Sequence, residues 1–364
     1  MKKIGKEVLF LPTNNSIIRN GEGALIKLKN NTIMYAYTEY FGESRSDDSP
    51  ANIVAMFSYN EGESWEDKRI IVTKKADQAN VMSVSLLRFR NGDLGLFYLI
   101  YANHGGYLRA TPNVIRSADD GLTWSEPTPC APYHTHYILN NDRVVMLSSG
   151  RIILPLADHG KDSKNISPGK AVFAYSDDDG FTWSLLDTII CSTQNDNIQF
   201  QEPGIYEFDN GELWVYVRTC YGYQYQSFSK DGGISWETPH SNGYFPSPVS
   251  PMKIKKVGDF TVSVFNPYPP NKGEAPSVWG SAVRTPLAIA VSKDDGRSLT
   301  YKTINFENFN RNFYYLEDDR SNYYCYPAIC EVKDGFLVAY YHSNGTEFSL
   351  NSAKITKVLF SELD

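Results

Sequence analysis

The sequence predicts an all-β chain folded as a six-bladed β-propeller with four-stranded antiparallel blades. Three observations predict it: one loop motif recurs five times, the copies are spaced by the length of a blade, and apolar strand pairs joined by tight turns fill the intervals. At 364 residues a chain with one ordinary core would divide into two or three domains. A repeat architecture grows unit by unit instead, so a single domain spanning 1–364 is expected. The 25 Tyr and 19 Phe suit strands, and no long amphipathic helical pattern interrupts them.

The motif begins with Ser58-Tyr59-Asn60-Glu61-Gly62-Glu63-Ser64-Trp65. It returns as Ser117-Ala118-Asp119-Asp120-Gly121-Leu122-Thr123-Trp124, Ser176-Asp177-Asp178-Asp179-Gly180-Phe181-Thr182-Trp183 and Ser229-Lys230-Asp231-Gly232-Gly233-Ile234-Ser235-Trp236. A worn fifth copy, Ser292-Lys293-Asp294-Asp295-Gly296-Arg297-Ser298-Leu299, has Leu in place of Trp. Each part has a physical task in a hairpin loop. The Asp or Asn accepts backbone N–H groups across the turn, Gly supplies positive φ, the hydroxyls close the loop and Trp packs beneath it. The copies start 59, 59, 53 and 63 residues apart, which matches six units of about 61 residues.

Between the motifs lie strand pairs: Ala24–Leu28 with Thr32–Tyr37, Val81–Phe89 with Leu94–Tyr101, and Arg143–Leu147 with Arg151–Leu156. Ile205–Phe208 with Leu213–Arg218 and Ala328–Val332 with Phe336–Tyr341 continue the series, broken by turns such as Asn91-Gly92, Asn210-Gly211 and Asp334-Gly335. The last unit has no motif and ends in Ser352–Leu359. A strand near Glu7–Leu11 is expected to complete it and close the ring, which leaves no sheet edge exposed.

The formal net charge of −7 argues against nucleic acid and anionic membrane as partners, since both require a basic face. Cys130, Cys191, Cys220, Cys325 and Cys330 are odd in number and lack metal spacing, so they read as reduced structural thiols. Neither a metal nor another cofactor is expected. His134-Thr135-His136 offers two metal-type ligands but implies no third. The start Met1-Lys2-Lys3 has no apolar core of signal-peptide length behind it and no run reaches the ~18 residues of a membrane span, so a cytoplasmic protein is expected.

The five loops resemble the Asp-box of the sialidase superfamily, also called the BNR repeat. The resemblance covers most of the chain and implies the activity of a retaining exo-glycosidase acting on a terminal sialic acid or a related 2-keto sugar acid. Sialidases hold the substrate carboxylate with three arginines and use a Tyr nucleophile, a Glu that activates it and an Asp acid. Residue by residue, Arg19 in Ile18-Arg19-Asn20-Gly21-Glu22 takes the place of the first arginine, where the family usually has Arg-Ile-Pro; the departure marks a distant branch. The acid falls in Ser44-Arg45-Ser46-Asp47-Asp48-Ser49-Pro50, with Asp48 preferred over Asp47 by position. Gln201-Glu202-Pro203-Gly204 and the strand ending at Arg218 match the activating Glu and the second arginine. A hairpin turning at Asp209-Asn210-Gly211 returns these two residues to the same end. Arg284-Thr285-Pro286 resembles the third arginine's segment. Tyr323-Tyr324-Cys325-Tyr326-Pro327-Ala328 resembles the nucleophile's, with Tyr326 the best match and Tyr324 the alternative.

The chemistry is coherent with that assignment. A phenol of pKa ~10 needs a base before it attacks, and a neutral nucleophile suits a substrate with an anionic group on its reacting carbon, an exception to the two-carboxylate scheme. The expected partner is therefore a small acidic carbohydrate. Two other readings stay open: a propeller hydrolase or lyase acting on uronate-containing oligosaccharides, in which His104, His134, His136 or His159 would serve, and a non-catalytic carbohydrate-binding propeller.

Overall fold

The computed structural model describes residues 2–163, 169–191, 199–267, 284–300, 313–343 and 350–363. Six antiparallel sheets form the six blades of a β-propeller, ordered from inner to outer strand as the chain runs except for the outer strand of blade six. Blade one comprises Arg19–Lys27, Ile33–Tyr40, Ala51–Ser58 and Glu66–Val72, and blade two follows from Gln78–Arg88 to Thr128–Pro129. Blade four starts at Gln201–Glu207, blade five at Lys253–Val257 and blade six at Tyr324–Val332. The expected ring closure is present. Lys6–Leu11 pairs with Ser352–Leu359 as the outer strand of blade six, so the first strand of the chain is held by the last. Among the described residues no helix is long and apolar enough to cross a membrane.

Blade three departs from the expected pattern. The inner strand expected over Arg143–Leu147 survives only as Val145–Met146, with Tyr137–Ile138 as a second fragment on the same neighbour. The backbone between them serves the other blades. Asn141 Nδ2 donates to the carbonyls of Gly23 (2.8 Å) and Tyr326 (3.2 Å). Asp142 accepts from the amide of Ile329 and pairs with buried Lys253. The Arg143 amide donates to Ser85. A buried polar run has therefore left the ladder to tie blades one, two, five and six together across the channel.

All five loop motifs have the wiring the residues call for. The first Ser accepts the Gly amide at 2.7–3.1 Å, and the Asp or Asn accepts the amide of the following Ser or Thr at 2.8–3.2 Å. The terminal aromatic reaches other strands: Trp183 packs edge-on against Phe97 of blade two, and Trp236 stacks on Phe173 of blade three. Leu299, replacing Trp in the fifth copy, is buried in the cluster of Phe208 and Trp214.

The residue before the motif's Gly has a task the sequence pattern does not reveal. Its carboxylate crosses to the preceding blade and accepts the backbone N–H of that blade's first hairpin. Glu61 takes Lys333, Asp120 takes Lys29, Asp179 takes Arg90 and Asn91, and Asp295 takes Asp209. The fourth copy has Gly232 at this position and blade six has no motif. There the inner strand supplies the carboxylate instead: Glu207 takes the amide of Ser148 and Glu331 that of Gly258. Every blade junction thus carries at least one such bond. If these bonds hold the ring, Asp179→Ala should lower the unfolding free energy by about 2–3 kcal/mol, from a lost charge-assisted bond and a left-handed backbone at φ 62. Asp179→Asn should lose about half as much. Urea unfolding of both variants checks this, and a loss under about 0.5 kcal/mol for Ala would make the contact incidental.

Candidate active site

The inner strands begin at the end of the propeller opposite the loop motifs, and there the backbone of five of the six blades turns left-handed at one residue. Glu22, Ser83, Asp142, Glu202 and Tyr326 each have a left-handed backbone, with φ between 48 and 63. In blades one, two, four and six the strand register shifts at the same point. Non-glycine residues take this conformation at a cost, and bulges of this kind redirect a side chain out of the strand's alternation. Blade five has Pro251 at the corresponding place, a residue whose ring forbids positive φ. Glu22, Ser83, Glu202 and Tyr326 all line one cavity of about 630 Å³, together with Arg19, Arg218, Arg284, Asp47 and Asp48. A monosaccharide unit fits such a volume.

At its centre Tyr326 donates its hydroxyl to Glu202 at 2.9 Å. Arg218 closes on the other carboxylate oxygen at 2.6 Å and lies 3.5 Å from the same phenol oxygen. Burial raises the Glu202 carboxyl, but the charge and hydrogen bond of Arg218, with help from Arg284 and Tyr326, outweigh it and hold the group below its ordinary value. Burial first, and then the Glu202 charge, hold the Tyr326 phenol well above its ordinary range against the pull of Arg218 and Arg284. The resting site is therefore a neutral phenol hydrogen-bonded to a carboxylate. Arg284 sits with its guanidinium 5.6 Å from the Tyr326 ring centre and is fixed through the Val249 carbonyl and the Cys325 sulfur. Among the described residues no carboxylate pairs with it.

Arg19 forms the blade-one side. Nε donates to Tyr341 Oη at 2.9 Å, Nη1 to Asp47 at 2.6 Å and Nη2 to Glu22 at 2.7 Å. Gly21 explains the departure from Arg-Ile-Pro: a Cβ there would lie 2.0 Å from the Tyr341 ring that receives Arg19. The loop carrying Asp47 and Asp48 is held over the pocket by Asn80, which donates to the carbonyls of Asp47 and Ser49. Asp47 is 69% exposed, and Asp48 accepts from Ser46 at 2.5 Å.

The six residues singled out in the sequence, Arg19, Asp48, Glu202, Arg218, Arg284 and Tyr326, therefore meet in one pocket. Tyr324 does not join them. It is buried against Tyr340 and His342, because the bulge at Tyr326 breaks the alternation that would put both tyrosines on one face. Of the histidines, His136 and His159 line the cavity. His136 accepts the Ala110 amide on Nδ1 at 2.9 Å, and burial lowers it to about 4, followed by the influence of His159. His104 stacks on Tyr133, and His134 turns toward Tyr137, so His134 and His136 do not form a pair.

The residue that sequence reasoning missed is Glu22. It is 5% exposed and faces Arg19, Asp47, Glu202 and Ser83. Its signal lay in the phase of the strands: Glu22-Gly23-Ala24-Leu25 aligns with Glu202-Pro203-Gly204-Ile205 and Tyr326-Pro327-Ala328-Ile329.

The family model described as BNR repeat-like domain matches residues 35–339. Among solved structures, a protein of unknown function from Dyadobacter fermentans superposes with a TM-score of 0.73 at 17% identity, covering 97% of this chain and 98% of that one. The intramolecular trans-sialidase from Ruminococcus gnavus gives 0.71 at 14% identity, with 98% and 97% covered. The NanB sialidase from Streptococcus pneumoniae gives 0.71 at 12% identity, covering 99% of this chain and 71% of that one. At these identities the likeness establishes the fold.

Glu22 makes stability depend on pH in a recognisable direction. Burial above all, opposed by Arg19 and reinforced by Asp47 and Glu202, raises its carboxyl from 4.5 to about 7. Between those values the unfolded chain releases the proton while the folded one keeps it, so this group makes stability fall as pH rises from 4.5 to about 7. Glu202 is lowered, so its contribution is present above 4.5 and is lost only as pH falls further. Urea unfolding at pH 5 and pH 8 should therefore show a smaller difference for Glu22→Gln than for the parent; equal differences would contradict the raised carboxyl.

Proposed function

The chain belongs to the BNR repeat-like domain family, and we propose that it is a retaining exo-glycosidase of sialidase type that removes a terminal sialic acid or a related 2-keto sugar acid from oligosaccharides. The observation that carries this reading is the Tyr326–Glu202 hydrogen bond of 2.9 Å in a pocket that also gathers Arg19, Arg218 and Arg284. A binding site alone has no use for a neutral phenol poised on a buried carboxylate. Three guanidiniums suit the planar carboxylate of such a sugar.

Tyr326 Oη attacks the anomeric carbon as its proton passes to Glu202, and the bond to the leaving oxygen breaks. A carboxyl group of the loop at the pocket mouth, Asp48 or its neighbour Asp47, gives that oxygen a proton. The resulting carboxylate then takes a proton from water, the water oxygen attacks the same carbon, and the aryl ether to Tyr326 breaks while Glu202 returns the proton. Two inversions give net retention.

A second reading, a hydrolase or lyase for uronate-containing chains, is favoured by His136 and His159 in the cavity wall. Release of product from a panel of aryl glycosides of sialic, deaminated sialic, deoxyoctulosonic and uronic acids separates the two.

Two variants test the leading assignment. Tyr326→Phe keeps the ring and removes the attacking oxygen, so kcat should fall at least about a hundredfold with substrate binding nearly intact. Activity within a few-fold of the parent would remove Tyr326 from the reaction. Arg284→Ala should lower kcat/KM for the acidic glycoside by about 30-fold or more. The methyl ester of the same substrate, which lacks the charge, should be cleaved poorly and equally by parent and variant; an equal loss on acid and ester would mean that Arg284 does not read the carboxylate.

A further inference from the structure

Arg19 is already engaged by the protein itself. Its three nitrogens are engaged by Tyr341, Asp47 and Glu22, and Nη1 also reaches the Arg45 carbonyl at 3.3 Å. A substrate carboxylate that is to reach this guanidinium must take the place of one of them. Asp47 can yield, because it lies on an exposed loop. Glu22 cannot. It projects from the blade-one bulge, is buried, and is enclosed by Arg19, Ser83, Tyr341 Oη at 3.4 Å and, through space, Glu202. The bulge itself is bound to that of Tyr326, since Asn141 donates to the carbonyls of both Gly23 and Tyr326.

An incoming oxyanion on Arg19 therefore meets the Glu22 carboxyl at close range. Ionised, Glu22 repels it; protonated, Glu22 offers it a donor, and a hydrogen bond from a carboxyl to a carboxylate is of the strong, charge-assisted kind. We propose that Glu22 is a substrate-contacting, specificity-determining residue that in its acid form donates a hydrogen bond to the carboxylate held by Arg19, so that binding a sugar acid takes up one proton. The proposal rests on the acidic-sugar reading above.

The groups facing Glu22 are consistent with this. Arg19 on its own strand favours the ionised form. Asp47 from the loop and Glu202 from blade four oppose it. The phenols of Tyr40, Tyr101 and Tyr341, from blades one, two and six, stay neutral, each held above its ordinary range chiefly by burial. His136 lies too low to exchange a proton near neutrality. A further anion on Arg19 adds to the opposing side, so the bound state holds the Glu22 proton to higher pH than the free one.

The test is calorimetric binding of 2,3-dehydro-2-deoxy sialic acid at pH 8 in two buffers of different ionisation enthalpy, which counts the protons taken up. The parent should take up close to one and lose about tenfold in affinity for each further pH unit. Glu22→Gln, whose amide still accepts from Arg19 and donates to the ligand, should bind with almost no uptake and little pH dependence. Asp47→Asn should keep the uptake. Equal uptake in parent and Glu22→Gln, no uptake in the parent, or loss of uptake in Asp47→Asn alone would each overturn the proposal. Absence of binding heat in the parent from pH 5 to pH 8 would instead defeat the acidic-sugar reading and this inference with it, a result distinguishable from binding without proton linkage.

Discussion

A carboxylate that accepts the backbone N–H of the neighbouring blade's first hairpin recurs at all six junctions of the ring. The rest of the architecture hangs on it. Apolar packing between blades is strong but non-directional. A charge-assisted bond to a backbone amide has one geometry. It fixes where each inner strand ends at the face bearing the loop motifs, and a strand of about seven residues then sets the opposite end within the stiffness of its ladder. The bulges that carry Glu22, Glu202 and Tyr326 are at that opposite end. The two strands that supply the bond from Glu207 and Glu331, where the motif has no acid to give, belong to blades four and six. Those are the blades that bring Glu202 and Tyr326 together.

The bulges turn a structural repeat into a chemical site. In a regular strand the residues at these positions would alternate between neighbouring sheets and would be lost in the core. Left-handed backbone at Glu22, Ser83, Glu202 and Tyr326 aims four side chains into the same cavity instead. The strain is offset by bonds that only this arrangement permits, among them Arg218 on Glu202, Tyr326 on Glu202 and Arg19 on Glu22. The result is two buried carboxylates, Glu22 and Glu202, each facing a guanidinium, where the protonation of one group is felt by the others.

Much of this was written locally in the chain. The five loop motifs bond within eight residues, so Ser58, Asn60 and Gly62 specify their hairpin wherever it is placed. Strand pairs with Gly turns, and the return of Lys6–Leu11 to Ser352–Leu359, follow from alternation and from the need to cover an edge. Spacing and resemblance brought Arg19, Glu202, Arg218, Arg284 and Tyr326 to notice, since each lies at a strand end of known phase.

What the sequence determined, then, was most of what lies within one blade: the loop motifs, the hairpins and the strands, the inner strand of blade three excepted. The tertiary structure alone decided features whose partners lie on different blades. Tyr326, already the better match in the sequence, faces the pocket through a bulge in blade six that Asn141 of blade three ties to Gly23 of blade one. The Asn140–Arg143 run leaves its sheet because its partners are Gly23, Tyr326 and Ile329. Glu22 acquires its character from Arg19 beside it, Asp47 on the loop and Glu202 some 180 residues away. Hydrogen bonds and charges act over a few ångströms, and only closure of the ring sets those groups at that distance.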